Sequence, residues 1–259
     1  MIISTPEERD ILIEAGRRLG VVLDTLAEAV APGVSSETLD TLAEKLIRDG
    51  GDEPSFLNYT PEGSSRAYPA SLCVSVNDVV VHGIPNEAPR ILKMGDIVGL
   101  DLGLTHKGMI VDSALTVSVG RTDKKSYALM AATAAALEAA FEVAKPGARV
   151  GDISRAIEMA FAGTGFSPVK ALCGHGVGAY VHEEPTIPNV GRAGTGEELA
   201  PGMVIALEPI ANEGGAAVVL SSNSYTFRTK DGSRSAHFEH TLVIEEGGPL
   251  IVTRRASER

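Results

Sequence analysis

Two histidines stand in unusual company. His175 lies in Gly174-His175-Gly176-Val177-Gly178, and His182 opens His182-Glu183-Glu184-Pro185. Glycine-flanked histidines are ordinarily loop residues without chemistry, so their weight comes from four carboxylates elsewhere. Asp101 and Asp112 sit in Val98-Gly99-Leu100-Asp101-Leu102 and Ile110-Val111-Asp112, and Glu208 and Glu239 in Val204-Ile205-Ala206-Leu207-Glu208 and Phe238-Glu239-His240-Thr241-Leu242. All four neighbourhoods are apolar and strand-like, which predicts burial. Buried carboxylates at close range repel and cannot all stay ionised unaided. Two of them could share a proton as an acid–base dyad. Four need more positive charge than one proton, which favours metal. With His175 they can hold two divalent ions, the inner acids bridging and water filling an open position. The imidazole points to a first-row transition metal, with cobalt, manganese, iron and zinc all compatible. Water activated in this way, beside a polarised carbonyl, is machinery for amide hydrolysis. His82 and His182 fall outside the metal set and are expected to donate hydrogen bonds to the substrate carbonyl and the scissile amide. An acid idle on a solvated strand face is the ordinary alternative for any one of these residues. It does not account for four of them in duplicate.

The duplication is visible in the elements that must position these groups. Thr5-Pro6-Glu7-Glu8 combines a hydroxyl cap, proline at the first helical position and Glu three residues after the cap, a helix start. Apolar residues at helical spacing carry that helix from 6 to about 30, and a second runs from about 36 to 48. A matching pair follows at about 124 to 144 and 151 to 161. A shift of 114 places Pro32-Gly33 on Pro146-Gly147, a shift of 107 places Asp101 on Glu208, one of 127 places Asp112 on Glu239, and one of 100 places His82 on His182. These matches keep the same order in both halves, so one domain spanning 1–259 is expected, with related halves over roughly 6–120 and 123–252. Ile97 to Leu104 and Met109 to Val119 read as a hairpin closed by a Thr105-His106-Lys107-Gly108 turn. That turn sets Asp101 directly opposite Asp112.

Composition narrows the classes. A net charge of −11 argues against the clustered basic surface that nucleic acid requires. Hydrophobic content of 44% with 22% charged residues fits a soluble globule, and neither a signal peptide nor an apolar run long enough to span a membrane is present. A cytoplasmic location is expected. Cys73 and Cys173 are expected as free buried thiols. The Gly-rich 191 to 196 stretch and the polar 221 to 235 stretch read as surface loops.

The motifs together resemble the type I methionine aminopeptidases of the pita-bread, M24 metallopeptidase family, over nearly the whole chain. They are Cys73-Val74-Ser75-Val76-Asn77, Val80-Val81-His82-Gly83-Ile84-Pro85, Leu100-Asp101-Leu102-Gly103, Gly174 to Gly178, His182 to Pro185, Leu207-Glu208-Pro209 and Ser235-Ala236-His237-Phe238-Glu239-His240-Thr241. The resemblance implies an α+β fold of two pseudo-symmetric halves, with a central antiparallel sheet covered by two helix pairs. It implies two divalent metals on Asp101, Asp112, His175, Glu208 and Glu239, with Asp112 and Glu239 bridging. Glu208 would also serve as general base or acid, and His82 and His182 would contact substrate. A methionine pocket would involve Tyr59, Tyr68, Cys73, Val181 and Tyr225. The implied substrates are N-terminal peptides of nascent proteins, with the ribosome as a further candidate partner and a monomer as the default state. The 60 to 67 segment is longer than the family's usual two residues between the tyrosines. Val181, Tyr225 and Ala206 stand where phenylalanine, tryptophan and threonine are frequent. X-prolyl aminopeptidases and prolidases share the fold but carry an extra N-terminal domain, whereas here the first catalytic-domain helix begins at residue 6. A catalytically silent peptide-binding relative should have lost ligands, and none is lost.

Overall fold

A computed structural model describes residues 1–61, 63, 64 and 66–258. Two residues of the longer 60 to 67 segment, Glu62 and Ser65, lie outside the described residues. The capping box forms as its sequence dictates: Thr5 Oγ1 accepts from Glu8 N at 3.2 Å, and the Glu8 carboxylate accepts from Thr5 N at 3.0 Å. It starts helix α1, Pro6–Ala29, and α2 follows over Ser36–Asp49. The second pair is α3, Lys124–Val143, and α4, Val150–Ala160. All four fall within a residue or two of the boundaries that periodicity predicts.

The helices cover a nine-stranded antiparallel sheet whose path runs Glu53–Pro54, Ile97–His106, Met109–Ser118, Glu239–Val243, Val204–Leu207, Cys173–Gly176 and Glu183–Pro188, with Cys73–Val76 and Leu250–Ile251 on side branches. Each helix pair seals its own core. Leu12, Leu19, Leu23, Leu39 and Ile47 of α1 and α2 pack on Leu100, Leu102, Val111 and Leu115. Leu129, Leu137, Phe141, Ile153 and Ile157 of α3 and α4 pack on Ile205, Leu207 and Leu242.

The two halves repeat at the level of single hydrogen bonds. Gly33 N donates to Leu92 O at 2.8 Å while Leu92 N donates to Val34 O at 2.8 Å, and Gly147 N donates to Leu199 O at 3.0 Å while Leu199 N donates to Ala148 O at 2.8 Å. Val119 N to Asp96 O at 2.8 Å recurs as Ile244 N to Met203 O at 2.9 Å. The fold is the pita-bread arrangement of two pseudo-symmetric halves.

The central hairpin differs from expectation in register. Its strands run on to His106 and resume at Met109, so the turn is Lys107-Gly108 alone. Both residues have positive φ, 48° and 81°, as a two-residue type I′ turn requires. The shorter turn pairs Asp101 with Ala114 and Asp112 with Gly103. Asp101 and Asp112 are therefore diagonal neighbours and not direct opposites, though a slip of two residues leaves both on the same face. Glu208 also departs from expectation, since its strand ends at Leu207. The 221 to 235 stretch is no simple surface loop: it contains the strand Phe227–Thr229, and Tyr225, Thr226, Thr229 and Ser235 are buried. Cys73 is free and buried as expected, whereas Cys173 is only half-buried. Among the described residues no helix is long and apolar enough to cross a membrane.

Candidate metal centre and substrate pocket

Sheet register explains how residues so far apart in sequence converge. Asp101 pairs with Ala114, Ala114 with Glu239, and His240 with Leu207, which brings Glu239 beside Glu208. This rung across the sheet places the three acids on one face. Asp112 lies two residues along from Ala114 on that same face, and His175 pairs with Ala206, two residues before Glu208. Ala114, in the middle of the rung, has too small a side chain to fill the space between the acids.

Ligand atoms of Asp112, His175 and Glu239 lie within 4.8 Å of one another. His175 Nε2 is 3.8 Å from Glu208 Oε1 and 3.9 Å from Glu239 Oε1. Asp101 completes the group from the next strand. One cavity is lined by all five of these residues together with His82, His182, Tyr59, Tyr68, Cys73 and Tyr225. Val181 does not line it directly but packs behind, in a buried cluster with Phe56, Tyr68, Ala70, Cys73 and Tyr225. Tyr68 and Tyr225 meet edge to face at 5.2 Å. Their hydroxyls turn to backbone carbonyls, Tyr68 to Gly83 O at 3.0 Å and Tyr225 to Arg66 O, so apolar ring surface faces the cavity.

Electrostatics test whether these residues suit a cation. Burial drives the Asp101 and Glu239 carboxyls well above their usual range, and the neighbouring acids add to the shift. Asp112 is pushed up to about 7, chiefly by burial. Burial also pushes Glu208 up, but the nearby imidazoles of His237, His175 and His82 outweigh it and hold Glu208 below its usual range. His82 is depressed by burial. Three acids that burial, helped by their acidic neighbours, forces toward the neutral form are groups that a bound cation would return to the charged form. Two buried atoms facing this space, Asp112 Oδ1 and His237 Nε2, have no hydrogen-bond partner. His175 is set up as a ligand: its Nδ1–H donates to Gly176 O at 2.9 Å, which leaves Nε2 with its lone pair toward the acids. The donor set therefore fits divalent metal.

His237 is the residue that sequence reasoning missed. It is 4% exposed, with Nε2 3.4 Å from Glu208 Oε2 and 3.7 Å from Glu239 Oε2. Its spacing of two from Glu239 was the available signal, because residues i and i+2 of an extended chain share a face. Phe56 and Pro61, which also line the cavity, gave no such signal.

Comparison with known proteins agrees with this geometry. The methionine aminopeptidase of Aquifex aeolicus is 41% identical over 259 residues, covering 98% of this chain and 99% of that protein. The crystal structure of methionine aminopeptidase from Thermotoga maritima superposes with a TM-score of 0.92 at 39% identity, covering 98% of this chain and 100% of that one. A prolidase from Pyrococcus furiosus superposes with a TM-score of 0.75 at 22% identity, and this chain covers 65% of its length; that likeness concerns the fold alone. Residues 10–246 match the sequence profile of metallopeptidase family M24, and with an acid-rich centre suited to divalent metal at its heart, the chain belongs to that family.

Proposed function

We propose that the chain is a methionine aminopeptidase, removing the N-terminal methionine from nascent proteins whose second residue is small. In this reading residues 1–259 form one catalytic domain from two related halves. Asp101, Asp112, His175, Glu208 and Glu239 would hold two divalent ions, with Asp112 and Glu239 shared between them. Cobalt, manganese, iron and zinc all suit a set of four carboxylates and one imidazole. When bound, the ions activate water at neutral pH and polarise the scissile carbonyl.

The protein's own residues supply the rest. The ring surfaces of Tyr59, Tyr68 and Tyr225, backed by Cys73 and Val181, offer an apolar aromatic pocket to which a thioether side chain is suited. Glu208, whose carboxyl lies below its usual range, would take the proton of the attacking water and return it to the leaving amine. His82 and His182 line the cavity and between them would donate hydrogen bonds to the substrate carbonyl and the scissile amide, the charge-stabilising part of the reaction. Such an enzyme would act on N-terminal peptides in the cytoplasm as a monomer, with the ribosome as a source of substrate.

The observation that carries this reading is the opening of the aromatic pocket onto the row of buried acids within a single cavity. The test is direct. Metal content is measured in protein purified without added metal, and turnover of Met-Ala-Ser and Gly-Pro peptides is then compared with manganese, iron or cobalt supplied. Cleavage of Met-Ala-Ser after methionine is expected. Cleavage of neither peptide would overturn the enzyme reading, and cleavage of X-Pro bonds alone would move the assignment to a prolidase.

A further inference from the structure

Tyr59 sits at the neck of the 60 to 67 segment, where Tyr68 N donates to Tyr59 O at 2.8 Å and Tyr59 N donates to Phe56 O at 3.0 Å. Its hydroxyl lies 2.8 Å from His182 Nδ1, with the two rings tilted by 50° at 5.3 Å. The main chain next to His182 is fixed separately, because Glu183 Oε1 accepts from Ala179 N and Tyr180 N, both at 2.7 Å. Among the described residues Tyr59 makes the one hydrogen bond to the His182 ring. We infer that Tyr59 is a positioning residue: its hydroxyl holds His182 as the Nε2–H tautomer, so that the ring presents a donor to the substrate. The inference rests on the reading above that His182 donates a hydrogen bond to the substrate.

The chemistry follows from the donor inventory. A phenol with a pKa of about 10 keeps its proton at neutral pH, so toward a neutral imidazole it donates and Nδ1 accepts. The ring proton is then on Nε2. The other tautomer would turn a lone pair toward the substrate and leave the ring with no donor to offer it.

The neighbouring histidine is set the opposite way. His175 meets His182 edge to face at 4.5 Å, and its Nδ1 donates to the Gly176 carbonyl. A carbonyl can only accept, so the proton of His175 stays on Nδ1 and Nε2 is left as a ligand. Two adjacent imidazoles are thus given opposite tautomers by partners of opposite character, one for a cation and one for the substrate.

Tyr59→Phe keeps the ring and removes the hydroxyl. It is expected to lower kcat on Met-Ala-Ser roughly ten-fold, with KM changed less than about two-fold and metal content unchanged. ¹⁵N spectra of histidine-labelled protein, zinc-loaded or metal-free, should show His182 as the Nε2–H form in the parent and as a tautomer mixture in the variant. Added to His182→Ala, the same substitution should cost nothing further, because the hydroxyl acts through that ring. A wall residue with no role in positioning would leave kcat and tautomer unchanged in Tyr59→Phe, and that result would overturn the inference. So would a ten-fold loss that persists in the His182→Ala background. Should the parent fail to cleave Met-Ala-Ser, the functional reading falls, and the tautomer measurement still decides the role of Tyr59.

Discussion

Gly176→Ala tests why His175, a proposed metal ligand, is enclosed by glycines. A Cβ at 176 would stand 2.2 Å from Glu184 O and 2.8 Å from the carbonyl carbon, and one at 174 would stand 2.4 Å from Ala206 O. Carbon and oxygen settle at roughly 3.3–3.6 Å, so about 1 Å of movement is needed at 176. The neighbours are backbone atoms and cannot swing aside as a flexible side chain would. The strand Cys173–Gly176 must shift relative to Glu183–Pro188, carrying His175 with it. Overpacking of this kind costs roughly 1–3 kcal/mol, which for a chain of this size lowers Tm by roughly 2–10 °C. The larger consequence is at the site, because a displacement of about 1 Å in a reacting constellation can cost on the order of 10²-fold in rate. Calorimetric melting, isothermal titration with divalent metal and turnover of Met-Ala-Ser measure the three effects separately. Gly247→Ala is the control, since a Cβ there meets nothing within 4 Å, and it should match the parent throughout. If Gly176→Ala also matched the parent in melting, metal affinity and turnover, the close approach of these strands would not be what places His175.

Three further outcomes are expected. If Asp112 is shared between two ions as proposed, Asp112→Asn should weaken the binding of both, and an unchanged two-metal stoichiometry by elemental analysis would contradict the bridge. Glu208→Gln should melt close to the parent yet lose on the order of 10²–10⁴-fold in turnover; near-parental turnover would remove Glu208 from proton transfer. Metal-free protein should lose stability as pH rises above about 4, through about 7 for Asp112, because Asp101, Asp112 and Glu239 bind protons more tightly folded than unfolded. Glu208, shifted the other way, loses its contribution as pH falls. The gain in Tm on adding metal should therefore be larger at pH 8 than at pH 5, and a gain that shrinks over that range would refute the account.

Much of this protein could be read from short windows of sequence. Thr5, Pro6 and Glu8 specify the start of the first helix with three residues, and Pro32-Gly33 and Pro146-Gly147 mark the ends of matched helices. The identity of the acids, and their order in both halves, pointed to one shared centre. Such signals are local, set by caps, periodicity and residue chemistry that do not depend on distant partners. Tertiary structure decided what depends on how chain segments meet. A turn two residues shorter than its sequence suggests moved Asp101 from Asp112 to Ala114, which no composition of the strands could reveal, since the face is preserved at either register. His237 became a member of the site only when Glu208, just past the end of the Val204–Leu207 strand, was brought to 3.4 Å from it. Tyr59 and His182, 123 residues apart, became partners only where the neck of one loop meets the mouth of the other. The sequence determined which groups could do the chemistry. Their pairing, their tautomers and their proton affinities depend on the burial and proximity that the folded sheet alone provides.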